Sequence, residues 1–417
     1  MRPGRRGPAT WRRLSRGRTG VRGLVGAGLA AAILAAACGA PTAPFKDADN
    51  GGPNDHGWFQ AGMVWRGDLG DPTVVRVGSV YYAYSSPTGG RYLPVLTSTD
   101  LTTWRIRAQY STNGPPGRPG YSVATDSAIP AEIRASADND WGKYNNEDGL
   151  VRPASWGLTD AQGPWLRRDL WAPGVFAIGS TYYAYSAVRV GWASDDPNHY
   201  GRFCLTVASS TSPVGPFRDV SGGAPIQCQP TTHDPAGSID PSPYHDPATG
   251  KNYLLWKAAG MIGVRESALM AVELETDGKP KAGAPWQNLL ETNRAAPWEG
   301  GTIENPSMIS YGGTTYLFYS ANDSRSDSTG HSSYATGYAI CPKGPLAPCF
   351  RPDPAHPLLA SNSIDQGPGG ASAFTDTAGG LRLAYATYWA GETRPDHPRR
   401  LHITHLTRGA YATLRVG

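Results

Sequence analysis

Three carboxylates stand just ahead of proline-led aromatic segments: Asp71 directly before Pro72, Asp240 directly before Pro241, and Glu304 two residues before Pro306. If the chain gathers them, they cannot all ionise independently. Mutual repulsion and partial burial push one towards staying protonated at neutral pH. A protonated carboxyl beside an ionised one is the pair that cleavage of a glycosidic bond needs. One protonates the leaving oxygen and the other activates water. A lone Asp-Pro is usually a turn or a strand start, and Asp246 and Glu299 are rival acids close by. Position within a repeat is what singles out the three.

The repeat pairs a proline with a tyrosine ten residues later, inside an apolar run: Pro72 with Tyr82, Pro173 with Tyr183, Pro306 with Tyr316. Pro241 leads to Tyr253 with two extra residues in the turn, which puts Asp246 in that turn. Pro368 leads more loosely to the run 381–385. Proline cannot donate to a ladder and is expected at a strand start. A glycine turn follows at Gly78, Gly179, Gly250, Gly312 and Gly379, then a strand apolar throughout, as one packed between sheets must be. Residues 93–104, 203–209, 268–274 and 402–406 read as further strands.

No long 3.6-residue apolar period occurs, and short β-branched and aromatic runs dominate, so the chain is all-β. Five units of about four strands predict a five-bladed β-propeller of four-stranded antiparallel blades. They close into a ring because one blade cannot bury both faces of its sheet. The first strand of each blade then lines the channel, and Asp71, Asp240 and Glu304 converge near one end of it. The corresponding positions in the other two units are Ala172, beside Trp171, and Gly367. Residues 108–168 break the rhythm and read as a long loop over one face.

Residues 1–37 read as an export signal. Eight arginines precede an apolar stretch from Leu24 to Ala37, too short to span a bilayer comfortably. The stretch ends Leu34-Ala-Ala-Ala-Cys38, which resembles the lipobox of bacterial lipoproteins, in which Cys38 would carry lipid. Residues 38–56 are a Gly-, Pro- and Asp-rich tether, and 57–417 are the folded domain. Loss of the eight arginines turns a net charge of +4 into −4, so no basic surface argues for nucleic acid. Cys204, Cys228, Cys341 and Cys349 make an even count for an extracellular chain. The expected pairs are Cys204–Cys228 and Cys341–Cys349, since the spacings match no usual zinc pattern.

The segments Gly70-Asp-Pro, Leu170-Trp-Ala-Pro, Ser238-Ile-Asp-Pro, Ile303-Glu-Asn-Pro and Gly367-Pro-Gly, each with its following aromatic or apolar run, resemble glycoside hydrolase family 43. That is the five-bladed propeller group of arabinanases, α-arabinofuranosidases and β-xylosidases, and the resemblance spans about 57–410. It implies an inverting hydrolase of arabinose- or xylose-containing glycans. Asp71 would be the general base and Glu304 the general acid. Asp240 would be the third carboxylate, which tunes and orients the acid, and Trp171 would line the sugar pocket. No cofactor is implied. Many relatives carry a metal-holding His after Gly-Pro-Gly, where this chain has Gly370, which argues against a His-linked metal in the channel. Relatives also often carry an acid where this chain has Gly174. The remaining expectations are a poly- or oligosaccharide partner, a monomer, and a place at the bacterial cell surface through the lipid alone. The alternatives are a glycan-binding lipoprotein without turnover and another five-bladed glycosidase type.

Overall fold

The computed structural model describes residues 63–65, 67–88, 92–106, 149–152, 154–157, 170–191, 201–230, 234, 236–260, 265–392 and 398–417. The expected leader, Cys38, the tether and nearly all of the 108–168 insertion lie outside the described residues.

The described residues form five small sheets around a ring, the architecture of a five-bladed β-propeller. A first short strand, β1 (Met63–Trp65), belongs to the last blade. Blade one is β2 (Thr73–Val77), β3 (Val80–Tyr84), β4 (Val95–Ser98) and β5 (Arg105–Ile106). Blade two joins β6 (Leu150–Arg152), β7 (Leu170–Ile178), β8 (Thr181–Gly191), β9 (Arg202–Ser210) and β10 (Phe217–Asp219). Blade three is β11 (Ser238–Asp246), β12 (Lys251–Ala258), β13 (Ala268–Leu274) and β14 (Gln287–Glu291). Blade four is β15 (Ile303–Tyr311), β16 (Thr314–Ala321) and β17 (Ala335–Ile340). Blade five is β18 (Asp365–Thr375), β19 (Leu381–Trp389) and β20 (Arg400–Arg408), with β21 (Leu414–Val416) and β1 both on β20.

The blades depart from a uniform four strands. Blade four has three, and β17 is instead bridged by its following segment at Thr336–Leu359 and Ile340–Phe350. This covers an edge that would otherwise offer unpaired backbone. The end of the insertion is not all loop: β6 pairs in parallel with β10. The N-terminal β1 pairs antiparallel with β20, so the two ends of the chain close one blade.

Five separate apolar cores lie between neighbouring blades. Tyr84, Val95, Leu170 and Val188 fill the gap between blades one and two. Tyr185, Phe203, Leu254 and Trp256 fill the next, then Leu255, Leu269, Leu317 and Tyr319. Tyr316, Phe318, Leu381 and Leu406 follow, and Trp65, Tyr81, Trp104, Phe374 and Ile403 close the ring. The second strand of each blade alternates between two of these cores. In β16, Tyr316 and Phe318 face blade five while Leu317 and Tyr319 face blade three. Side chains on a strand alternate faces, so a strand buried on both sides reads as an unbroken apolar run.

The innermost strands β2, β7, β11, β15 and β18 neighbour one another around the channel. They are stitched by side chains rather than by ladders. Ser86 Oγ accepts from Ala172 N at 2.9 Å, Asp240 Oδ2 from Asn305 N at 3.0 Å, Ser320 Oγ from Gly370 N at 2.9 Å, and Ser372 Oγ from Val74 N at 3.1 Å.

Candidate active site

In blade one the repeated proline, Pro72, stands directly before the inner strand as expected; in the other four blades it does not. In β7, β11, β15 and β18 it lies inside, at a bulge where the register with the next strand slips. The free edge of an innermost strand needs no donor there, so proline is tolerated. The residue before it is left-handed in all five blades: Asp71 (φ 52°), Ala172 (46°), Asp240 (56°), Asn305 (49°) and Gly367 (64°). Such a φ costs a non-glycine residue about 1–3 kcal/mol, and such strain collects at functional sites. The repeat therefore places Asn305, not Glu304, in register with Asp71 and Asp240. Glu304 sits one step earlier, in register with Gly70 and Trp171.

The three carboxylates still meet. Asp240 is buried, and burial, the charge of Glu304 and the charge of Asp71 together raise its carboxyl to about 8, against the pull of Lys257 and the Asn305 N–H. Glu304 Oε2 accepts from Lys257 Nζ at 2.8 Å, and the Tyr334 hydroxyl lies 2.6 Å from its Oε1. Asp71 is gripped at both oxygens. Arg399 Nη1 donates to Oδ1 at 2.8 Å and Nη2 to Oδ2 at 2.9 Å, while Ser86 Oγ donates to Oδ2 at 2.8 Å. A bidentate guanidinium fixes the plane of a carboxylate as well as its place. Arg399 is held in turn by the segment it serves: its N–H donates to Asp68 Oδ1 and its carbonyl accepts from Leu69 N.

Sequence reasoning missed Arg399, Ser86, Lys257 and Tyr334. Lys257 left a trace, as the lone cation ending the apolar run of β12. Arg399 shows in the sequence only as half of an Arg-Arg pair ahead of an apolar strand. Nothing in the local sequence marks Tyr334.

The rival acids have other work. Glu299 is fully buried in the short turn Pro297–Glu299 and is saturated by Arg351, the Tyr319 hydroxyl and Asn293 N. Asp246 caps its own hairpin turn through Ala248 N and Thr249 Oγ1. Trp171 is half-buried, stacked on Phe203 with ring centroids 4.2 Å apart, and the Arg189 guanidinium lies 5.8 Å from its ring. His402 is buried in blade five against Thr387 and Tyr385. Cys204 is bonded to Cys228 and Cys341 to Cys349.

A central metal held through position 370 does not fit. A Cβ on Gly370 would lie 2.8 Å from Asp71 Cα and 2.9 Å from its Oδ1, so a side chain there collides with the acid. Among the described residues no group of three His, Cys, Asp or Glu is placed to hold a metal ion. Gly174 is constrained in the same way: a Cβ would lie 2.3 Å from the Pro241 carbonyl oxygen, so β7 and β11 approach too closely for an acid at that place.

A five-bladed propeller with three carboxylates gathered at one end of its channel defines a propeller of the glycosidase class. Residues 150–409 match the model of Glycosyl hydrolases family 43, and the chain belongs to that family. Asp240 and Glu304 fall within the matched span, and Asp71 precedes it. Similar solved structures include a thermostable family-43 glycoside hydrolase, 24% identical with a TM-score of 0.56, covering 84% of this chain and 92% of that one. An endo-1,4-β-xylanase from Bacteroides thetaiotaomicron VPI-5482 is 21% identical, with a TM-score of 0.56 and coverage of 84% and 95%. An exo-1,5-α-L-arabinanase from a bovine ruminal metagenomic library is 18% identical, with a TM-score of 0.54 and coverage of 86% and 100%. At these identities the likeness establishes the fold. No curated protein matches the sequence.

Proposed function

We propose that the chain hydrolyses arabinose- or xylose-containing glycans with inversion, using Asp71 as general base, Glu304 as general acid and Asp240 as the carboxylate that tunes and orients the acid. The observation that carries this reading is the buried Asp240, raised to about 8 by burial and by the charges of Glu304 and Asp71. A protein that only bound glycans would gain nothing from three mutually repelling acids. The substrate class is suggested by the xylanase and arabinanase among the similar structures.

In this mechanism Asp71, held in place by Arg399 and Ser86, accepts a proton from water. Glu304 protonates the leaving oxygen from the opposite face of the sugar. Inversion requires the base and acid to stand about 6.5–9.5 Å apart so that water fits between sugar and base. Trp171 supplies an aromatic face at the pocket wall. A screen of p-nitrophenyl arabinofuranoside, xyloside and galactoside with arabinan and xylan tests the reading. Turnover of the galactoside alone would reject the substrate class.

Export and anchoring belong to the same reading. The arginine-rich leader and the small residues before Cys38 support a lipid on Cys38 that holds the enzyme at the cell surface. Cys38→Ala is expected to release the protein into the medium. Retention on membranes would reject the anchor.

A further inference from the structure

Tyr334 stands just before β17 with its side chain buried at the channel end of blade four. Its hydroxyl is 2.6 Å from Glu304 Oε1 and 2.6 Å from Asn305 Oδ1. The ring has a place made for it, since a Cβ on Gly369 would lie 2.0 Å from the Tyr334 ring. Burial, then the charges of Glu304 and Asp71, push the phenol well above its ordinary value, so it keeps its proton. A phenol has one proton to donate. The Ser320 hydroxyl is a third neighbour of the phenol; with Glu304 ionised, Oε1 and Asn305 Oδ1 are both acceptors, and only one can be satisfied. With Glu304 protonated at Oε1, the carboxylic acid donates to the phenol oxygen and the phenol donates to Asn305. The other oxygen, Oε2, already accepts from Lys257 Nζ, which leaves Oε1 to carry the proton.

We propose that Tyr334 is a positioning residue that follows the protonation state of Glu304, accepting from the acid while donating to Asn305 Oδ1, and turning to donate to Oε1 once the proton has left. The inference rests on Glu304 being the general acid. In the chemical step the acid's O–H bond breaks, the proton goes to the leaving oxygen and the electron pair stays on the carboxylate. The phenol keeps its own proton and only rotates. Three other groups face Glu304: Lys257 from β12, Asp240 from β11, and Asp71, paired with Arg399. The Tyr334–Asn305 bond is tied to that proton, because the phenol can donate to Asn305 only while it is not donating to Glu304.

The test is kcat against pH for Asn305→Gly, with aryl glycosides of graded leaving groups for Tyr334→Phe. Glycine suits the φ of 49° at position 305 and keeps the N–H that Asp240 accepts. Without Oδ1 the hydroxyl donates to Glu304 throughout, so the basic limb of the profile is expected to move to lower pH by about half a unit or more. Tyr334→Phe added to Asn305→Gly is expected to move it back. Tyr334→Phe alone is expected to lower kcat about tenfold or more for poor leaving groups and little for activated ones. A limb that stays put in Asn305→Gly, or moves to higher pH because the amide donates to the phenol, overturns the proposal. If Glu304→Ala depends on the leaving group while Tyr334→Phe slows every substrate equally, this inference alone fails. If Glu304→Ala shows no such dependence, the assignment of the acid fails and the inference falls with it.

Discussion

At the scale of single residues, the three carboxylates differ in what surrounds them, and the differences set distinct outcomes for their removal. Loss of the acid matters most when the leaving group is poor. Glu304→Ala is expected to lose about 10²–10⁴-fold on natural glycans and to spare activated aryl glycosides, whose phenolate leaves with little protonation. Asp71→Ala is expected to slow both, with partial recovery in azide. Steady-state kinetics on the paired substrates separates the two, and a leaving-group pattern in Glu299→Ala would contradict the placement of that residue in a structural ion pair. Asp240→Asn addresses stability as well as rate. The folded carboxyl titrates near 8 because of burial and its two acidic neighbours. Below about pH 4 both folded and unfolded forms hold the proton, and the group contributes nothing. Between about pH 4 and 8 the unfolded chain ionises while the fold keeps the proton, so this contribution to stability falls as pH rises. Asparagine retains the oxygen that accepts from Asn305 N and removes the penalty. Urea titrations are expected to show the variant about 1–3 kcal/mol more stable at pH 8, with the gap closing towards pH 4. A gap that widens on acidification would contradict the sign.

At the scale of elements, the left-handed residue before proline is the working unit in each of five blades, four of which carry it at a strand bulge. It aims side chains into the channel and leaves little room beside them. Gly370→Ala would press a methyl group against Asp71. It is expected to cut activity on every substrate by about 10²-fold and, because position 370 has a φ of 63°, to cost about 1–3 kcal/mol of stability as well; near-native activity would show that Asp71 has room to move. The proline spacing made the hairpins, the glycine turns and the five-fold repeat legible in the sequence, because proline and glycine act locally. It also pointed to Asp71 and Asp240, which share the left-handed position before proline. It placed Glu304 only approximately, since the element in register there is Asn305, and a bulge shifts register without changing residue types. Arg399 and Tyr334 were not legible. They reach the site from the residues just ahead of the third strands of blades five and four, β20 and β17, over contacts 328 and 30 residues long in sequence. No local pattern records a partner at that distance.

At the scale of the whole molecule, stability depends on closing the ring. β1 pairs with β20, and Trp65 on β1 is buried in the core shared by the last and first blades. Trp65→Ala is expected to cost about 3–5 kcal/mol, read as a lower denaturant midpoint. A change under about 0.5 kcal/mol would mean that the closure carries little weight. The same closure brings Arg399, which opens the way into β20, against Asp68, Leu69 and Asp71, so the seam of the ring and the grip on the proposed base are one structure. The central claim is that this grip and the carboxylates across the channel carry out hydrolysis by direct displacement with water. Proton NMR of the first sugar released from arabinan, xylan or an aryl pentoside reads the anomeric configuration before mutarotation. The account expects inversion, with no glycosyl-enzyme trapped. Retention, or no sugar released from any of these substrates, would contradict it.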